Sequence, residues 1–363
     1  MAKAQDQASR GTGASPLLEV QDLELSFRSD FGDHRFLQGV SFQVYPGEIV
    51  GLVGESGSGK SISSLAIMGL LAKNGRISGG QILFKGQDLA KMSESDLDKI
   101  RGRHISMVFQ DALTSLNPVF TIGNQMREAI RAHRPMSRAK ANQEAIQLLS
   151  RVGLPRAKSV MRQYPHALSG GMRQRVMIAM AIAGEPELMI ADEPTTALDV
   201  TVQAQIMALI KSLAQERGTA ILIISHDIGL LAQMVDRVLV MYAGQLVEES
   251  GLRQLFEDPG HPYTASLLRS VPSITDSSDR QLHSIPGVVP ANYAQIQGCR
   301  FFDRCPFALD SCRENPQVMA ELPSGQRVRC ERAARGDFAN LAWLGEEFAD
   351  PEENAARRCD CVL

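Results

Sequence analysis

The sequence predicts an α/β fold, and three observations lead to that prediction. A glycine-rich segment, GESGSGKS, spans 54–61 and directly follows an apolar run at 49–53. A second short apolar run spans 188–191. Between these two runs, from 124 to 183, apolar residues recur mostly at helical spacing. Short buried strands separated by helices are typical of α/β folds, so we expect a core sheet with a helical insertion.

The segment before the glycine-rich motif predicts an additional, antiparallel part of the fold. Residues 17–27 alternate between apolar and polar, and 40–44 is a second strand-like run ahead of Pro46 and Gly47. We therefore expect an antiparallel β subdomain joined to the core. The helical insertion is expected over about 111–187, with Pro155 and Pro165 interrupting it.

Composition limits the possible functions. The 363 residues carry a net charge of −3 and are 22% charged, so no basic field indicates nucleic acid or an anionic membrane. The longest apolar runs, such as 176–183 and 220–224, are too short to cross a bilayer. Residues 1–16 are small and polar, which predicts a disordered tail and no signal peptide. We expect a cytosolic chain that reaches a membrane only through partner chains.

The glycine-rich segment predicts a phosphate site. A strand, a glycine-rich turn and a helix in this order let successive N–H groups face one point, where the helix N-terminus also favours an anion. Lys60 is expected to reach the β- and γ-phosphates of a nucleoside triphosphate, and the Ser61 hydroxyl to bind Mg²⁺. The predicted nucleotide-binding residues of this loop are Gly54, Glu55, Ser56, Gly57, Ser58, Gly59, Lys60 and Ser61.

An acidic pair follows the second apolar run. Asp192 and Glu193 stand at the expected carboxyl end of the strand 188–191. An acid at that position can hold Mg²⁺ beside the phosphate loop, and we assign this role to Asp192. Glu193 is placed to polarise the water that attacks the γ-phosphate.

Further motifs resemble those of ABC ATPases, in family order from Leu17 to about Glu257. The segment LSGGM at 168–172 resembles the ABC signature, with Met172 in place of the usual Gln. Residues 197–199 (Ala-Leu-Asp) resemble the D-loop, His226 resembles the switch histidine, and Gln110 resembles the Q-loop glutamine.

The resemblance implies an ABC-type P-loop NTPase that hydrolyses ATP between two nucleotide domains. It implies catalytic roles for Glu193, His226 and Gln110, with Gln110 also at the Mg²⁺. Nucleotide contacts from the signature and D-loop would come from Ser169, Gly170, Gly171 and Asp199. For stacking on adenine we favour Phe27, with Phe31 as the alternative.

Two segments outside these motifs resemble the ATPases of dipeptide, oligopeptide and nickel importers. They are DALTSLNP at 111–118, where the family usually has Pro in place of Ala112, and HPYT at 261–264. The resemblance runs to about Arg332. It implies two transmembrane permease subunits, a second, paralogous ATPase chain as partner, and an extracytoplasmic substrate-binding protein. It also implies a peripheral location on the cytoplasmic face of the inner membrane, with no nucleic acid.

The cargo stays open at this stage. Dipeptides are our first expectation, followed by longer peptides, nickel chelates or haem. A non-transport ABC ATPase would share the core motifs, but such chains usually fuse two cassettes or insert long coiled coils. A regulatory cassette without catalysis would be expected to lack Glu193 or His226.

Four cysteines cluster near the C-terminus, with gaps of five, six and seventeen residues: Cys299, Cys305, Cys312 and Cys330. The spacing alone leaves zinc, an iron–sulfur centre and four unligated thiols open. The resemblance implies a [4Fe–4S] cluster in a small Cys-rich C-terminal domain at 258–332. An acidic tail at 333–363 would follow, with Cys359 and Cys361 as bystanders.

Overall fold

A computed structural model describes residues 15–29, 32–196, 198–270, 285–290 and 292–338, except for the side chains of residues 29, 112 and 113. Most of the predicted N-terminal tail and of the acidic tail lies outside the described residues. The same holds for Phe31, Ala197, Cys359 and Cys361.

Twelve strands occur in the described residues and form two sheets. The strands are β1 (Leu18–Ser29), β2 (Gly32–Val44), β3 (Ile49–Val53), β4 (Gly75–Phe84), β5 (Gln87–Asp88), β6 (Ile105–Val108), β7 (Leu188–Asp192), β8 (Ala220–Ser225), β9 (Arg237–Tyr242), β10 (Gln245–Gly251), β11 (Ala320–Glu321) and β12 (Arg327–Val328).

Thirteen α-helices occur in the described residues, and none of them is both long and apolar enough to span a membrane. They are α1 (Lys60–Ile67), α2 (Glu94–Ile100), α3 (Ala112–Ser115), α4 (Ile122–His133), α5 (Arg138–Arg151), α6 (Ala157–Val160), α7 (Gly170–Ala181), α8 (Val200–Arg217), α9 (Ile228–Leu231), α10 (Leu252–Glu257), α11 (Pro262–Arg269), α12 (Asp310–Glu314) and α13 (Glu331–Ala334).

The larger sheet is mixed and has the strand order β11-β12-β10-β9-β3-β8-β7-β6. Strands β9, β3, β8, β7 and β6 run parallel. Strands β3, β7 and β8 are buried along their whole length, as expected for strands covered on both faces. Their carboxyl ends meet at one edge of the sheet, which is where α/β proteins form ligand sites.

The smaller sheet is antiparallel, with the order β2-β1-β4-β5, which confirms the predicted antiparallel element. Its inner face shares a hydrophobic core with the parallel sheet. Leu18 and Leu25 of β1 pack in one cluster with Val50 of β3 and Ile224 of β8. The two sheets are therefore joined by common apolar burial rather than by a linker.

The segment between β6 and β7 is helical, as the apolar spacing predicts. Helices α3 to α7 all lie there, and α4 and α5 pack on each other. Ile130 of α4, Leu149 of α5 and Ile178 of α7 are fully buried in a shared core. The core includes Ala191 of β7, so this helical segment packs directly on the parallel sheet.

The described C-terminal residues do not form the separate Cys-rich domain that was predicted. Strand β12 extends the larger sheet by pairing with β10, where Val328 lies opposite Glu248. Tyr293 and Phe301 are buried in the same core as the parallel strands. The segment has few apolar residues of its own, so it gains burial by packing on the existing sheet and core.

Candidate nucleotide site

The glycine-rich loop between β3 and α1 has a backbone that requires glycine. Gly54, Gly57 and Gly59 have φ values of 151°, 79° and 106°, a region that other residues rarely adopt. A side chain at Gly54 would collide with the Met241 carbonyl group. The loop is therefore curled tightly over the end of β3, as a phosphate cradle requires.

Lys60 and Ser61 begin helix α1 and face the loop. The Lys60 ammonium is buried and donates to the carbonyl oxygens of Gly54 (2.7 Å) and Glu55 (3.0 Å). Burial lowers the pKa of Lys60, opposed by the negative charges of Glu193, Asp192 and Glu55. The amine thus lies inside the cradle, where it can pair with phosphate oxygens.

Asp192 is the last residue of β7 and lies beside Ser61. The Ser61 hydroxyl donates to Asp192 Oδ1 at 3.0 Å. Burial, together with the charge of Glu193, raises the pKa of the Asp192 carboxyl. A hydroxyl and a carboxylate side by side, next to a phosphate cradle, match the oxygen ligands that Mg²⁺ prefers in nucleotide sites.

Glu193 follows β7 and is held by three neighbours from separate segments. Its Oε2 accepts from Gln110 Nε2 (2.9 Å) and from the Thr196 hydroxyl (2.9 Å). Its Oε1 lies 3.3 Å from Nδ1 of His226. The residue has a φ of 43°, and its N–H donates to the Ile224 carbonyl of β8 at 2.9 Å. The structure thus brings Gln110, Glu193 and His226 together and adds Thr196, while the catalytic roles of these residues stay predictions.

The signature and D-loop residues form a second group. Ser169 caps α7 by accepting from Met172 N–H (3.4 Å), and Asp199 caps α8 by accepting from Val202 N–H (3.0 Å). A Cβ at Gly171 would lie 2.8 Å from a Val202 methyl group, so the two helix starts pack closely. The described contacts of these residues thus link the start of α7 with the start of α8.

Phe27 lies on β1, away from the described contacts of the glycine-rich loop. Its ring packs edge-on against Phe36, with centroids 5.0 Å apart and an interplanar angle of 75°. The neighbouring strand β2 does reach the loop, because a Cβ at Gly59 would lie 2.6 Å from a Leu37 methyl group. Adenine stacking on Phe27 stays a prediction.

Two residues of the C-terminal region contact the loop and were not predicted to do so. The Tyr263 hydroxyl accepts from Glu55 N–H at 2.9 Å. Arg304 donates to both carboxylate oxygens of Glu55, at 2.8 and 3.0 Å. Tyr263 belongs to the HPYT motif, but the motif does not indicate a contact with the loop. Arg304 is separated from Glu55 by 249 positions, and no sequence motif includes it.

The turn that carries Tyr263 is fixed by a buried polar group. Glu248 accepts from the N–H groups of Gly260 (2.8 Å) and His261 (2.8 Å). His261 Nδ1 accepts from Tyr263 N–H at 3.0 Å and thereby caps α11. Complete burial raises the pKa of Glu248 to about 7 and lowers that of His261 to about 3. His261 therefore stays neutral and keeps its acceptor nitrogen at physiological pH.

The four clustered cysteines line one small cavity, of about 20 Å³, under His261 and Phe301. Burial raises the pKa of Cys299 to about 12 and also raises the pKa of Cys305 and Cys330. Four thiols in one cavity are suitable in kind for a thiolate-binding metal. However, no group of three or more His, Cys, Asp or Glu side chains in the described residues is arranged to hold a metal ion. The predicted [4Fe–4S] cluster is not supported by this arrangement.

Fold and site together define the class of protein. A glycine-rich phosphate cradle, an acidic pair at the next strand end and a signature helix on a mixed sheet make an ABC-type P-loop ATPase. The sequence profile described as "ABC transporter" matches residues 37–196, and that described as "Oligopeptide/dipeptide transporter, C-terminal region" matches 247–312.

Relatives of known name narrow the class to a family. The oligopeptide transport ATP-binding protein AppD of Bacillus subtilis is 50% identical over 87% of this chain and 96% of its own length. The dipeptide transport ATP-binding protein DppD of Escherichia coli is 47% identical over 86% of this chain and 96% of its own length. The chain belongs to this family of ABC transporter ATP-binding subunits, which hydrolyse ATP.

Among solved structures, the fold is similar to that of the ATP-binding cassette MJ0796, in a dimeric, post-hydrolysis state bound to ADP and Pi. The TM-score is 0.59 at 28% identity, over 65% of this chain and 99% of that one. The similarity thus extends over essentially the whole MJ0796 cassette, while about a third of this chain lies outside it.

Proposed function

We propose that this chain is the ATP-hydrolysing subunit of a membrane importer for dipeptides or oligopeptides. The observation that carries the proposal is the carboxylate of Glu193, held by Gln110, Thr196 and His226 beside the phosphate cradle. The peptide cargo rests on the names of the relatives and on the matched C-terminal region.

In this proposal the residues of the phosphate loop and of the neighbouring strand ends have separate roles. Lys60 pairs with the β- and γ-phosphates of ATP, while Ser61, Asp192 and Gln110 hold Mg²⁺. When bound, the metal neutralises charge on the phosphates. Glu193 accepts the proton of the attacking water, and His226 lies within reach of the same carboxylate. The geometry supports these roles, because Gln110, Asp192, Glu193 and His226 lie with the phosphate cradle at one edge of the sheet.

A complete site requires a second cassette. Ser169, Gly170 and Gly171 start the twelve-residue helix α7, whose N–H groups and partial positive charge suit a phosphate. Because Gly171 packs against Val202, which Asp199 caps, the signature residues and Asp199 form one surface. We propose that this surface closes over ATP bound to a partner cassette. We propose a paralogous ATPase as that partner, with Phe27 stacking on adenine.

An apolar groove next to Gln110 suits docking of a permease helix. The groove has a volume of about 250 Å³ and is lined mainly by apolar residues, among them Phe109, Leu116, Met177 and Met180. Phe109 is 40% exposed although it follows a buried strand. We propose that a helix of one permease subunit inserts here and that the second permease subunit docks on the partner cassette. The chain would then lie on the cytoplasmic face of the membrane, and a substrate-binding protein would deliver the cargo.

For the chain as a whole, we propose a cassette at 17–257 with a helical subdomain at about 111–187, followed by a peptide-importer C-terminal region at 258–332. We also propose that the cavity of Cys299, Cys305, Cys312 and Cys330 takes up a metal group. The convergence of four thiols on one cavity supports this. The thiols would have to close around the metal and lose their protons to bind it.

Native mass spectrometry of the complex purified from membranes tests the proposed function. We expect two permease chains, a substrate-binding protein carrying a peptide, and one copy each of two different ATPases. Two copies of this chain without a second ATPase would contradict the paralogous partner. A binding protein loaded with nickel or haem would contradict the peptide cargo, and the absence of any permease would overturn the transport function.

A further inference from the structure

We propose that Arg304 and Tyr263 position the phosphate loop through Glu55, so that the C-terminal region sets the affinity of the site for ATP. The inference rests on the proposed nucleotide binding and adds two positioning residues to it. Both lie outside the cassette motifs, and both contact Glu55 of the loop.

Contacts other than the one with Glu55 also orient the Arg304 guanidinium. Its Nε donates to the Pro286 carbonyl at 2.7 Å, and its Cζ lies 5.7 Å from the centroid of the Tyr242 ring. The side chain is only 7% exposed, and that of Glu55 25%. The two-point contact with Glu55 is a charge-assisted pair in a largely dry environment, where geometry and charge both contribute.

The charge of Glu55 makes the pair relevant to ATP. Glu55 is the second residue of the cradle, and its field is felt at the Lys60 ammonium, whose pKa it raises against the effect of burial. An uncompensated carboxylate at this position would repel a triphosphate. Two like charges about 10 Å apart, at an effective dielectric constant near 20, repel each other strongly enough to weaken binding about tenfold. Arg304 compensates this charge and holds the carboxylate in a fixed orientation.

Tyr263 fixes the backbone of the same residue. Its hydroxyl accepts the Glu55 N–H, and the residue is fully buried. Its ring packs against Tyr242 and Phe301, with centroids 4.7 and 5.4 Å apart. Phe301 lies between Cys299 and Cys305, so the wall of the cysteine cavity and the support of the phosphate loop share one aromatic cluster.

The test is a cycle of substitutions in the full-length chain, read as the equilibrium dissociation constant of Mg·ATP in competition with a fluorescent ATP analogue. We expect Arg304→Gln to raise the constant about tenfold, because it leaves Glu55 charged and unpaired. Glu55→Gln combined with Arg304→Gln should restore it to within about threefold of wild type, since a neutral amide pair no longer repels phosphate. Arg304→Lys should lie between these values.

Arg313→Gln is the matched control. This arginine belongs to the same region and stacks on Phe302, but its side chain is 70% exposed. We expect it to leave ATP binding unchanged. Thermal melting of every variant separates loss of fold from loss of affinity, and a purely structural role for Arg304 predicts no rescue by Glu55→Gln.

The outcomes distinguish the positioning role of Arg304 from the proposed nucleotide binding itself. An unchanged dissociation constant in Arg304→Gln, or a double variant as weak as the single one, would overturn the positioning role while leaving nucleotide binding intact. A wild-type chain that binds no ATP would instead overturn the proposed function, and the positioning role with it.

Discussion

The nucleotide site and the C-terminal region are built in opposite ways. The phosphate loop, the acidic pair and Gln110 each follow a strand within a few residues, and the parallel sheet brings these strand ends together. The C-terminal region depends instead on contacts across more than 200 positions, such as Arg304 with Glu55 and Arg300 with Gln38. Local sequence therefore determines most of the nucleotide site, whereas tertiary packing determines the structure of the C-terminal region.

The difference teaches where each region is vulnerable. A strand-end site keeps its geometry as long as the buried strands stay paired, so single substitutions there change chemistry more than fold. The C-terminal region packs on the core of the parallel sheet, and it contains buried polar groups such as His261 and Arg300, which lie close to the buried Glu248 of β10 or to other segments of the cassette. Because unpaired buried polar groups are costly, substitutions there are expected to change stability, and at Arg304 and Tyr263 also the geometry of the phosphate loop.

The largest effect that we expect in the C-terminal region comes from the metal group proposed for the cysteine cavity. If the cavity holds a [4Fe–4S] cluster, anaerobically purified protein is brown and contains iron and sulfide, and Cys305→Ser abolishes the visible absorbance. Losing a ligand should also lower the melting temperature, because metal binding contributes folding free energy. Absorbance spectra and metal analysis provide the measurement.

Cys359→Ser is the matched control and should keep colour and metal. Stoichiometric zinc without iron would show that the ligands are correct and the metal wrong. Protein without any metal would contradict both, and the region would then be stabilised by packing alone.

A smaller effect is expected from the buried carboxyl of Glu248. Its pKa is about 7 in the folded chain against an ordinary value of 4.5, so the folded state binds more protons between these pH values. The free energy of unfolding therefore falls as the pH rises through this window, by at most about 1.4 kcal/mol per pH unit. The Glu248→Gln variant has no carboxyl group to titrate at this position. Its free energy of unfolding, relative to that of the wild type, should therefore increase from pH 5 to pH 8.

Thermal melting of both proteins over this pH range measures the difference in stability. The contribution of His261 to the pH dependence cancels in this difference, because both proteins contain it. A constant difference would mean that Glu248 titrates at its ordinary value and that the buried turn is not a pH-sensitive element of the region.

Most of the nucleotide site could be predicted from the sequence because its parts are local. The cradle at 54–61, the acidic pair and Gln110 each follow a short buried strand, and parallel pairing then places them together. Thr196 was missed because a threonine in a turn carries no distinctive signal. Phe27 was chosen only by its distance along the chain, and in the structure its ring packs on Phe36.

The C-terminal region was less predictable for a physical reason. The family resemblance implied a Cys-rich domain with an iron–sulfur cluster, whereas the cysteine spacing alone left metal binding open. The pairing of β12 with β10 and the burial of Phe301 depend on a surface made by distant segments. The contact of Arg304 with Glu55 likewise exists only once both segments are folded. No periodicity or motif in a single sequence reports such a contact.

The central claim is that the Glu193 carboxylate activates water for ATP hydrolysis, and the hydrolysis rate of Glu193→Gln in the assembled transporter tests it most directly. The amide keeps the shape but cannot accept a proton, so we expect ATP binding to be retained and hydrolysis to fall about 100-fold or more. Lys60→Ala, the contrasting variant, should weaken binding itself. Hydrolysis near the wild-type rate in Glu193→Gln would contradict the account.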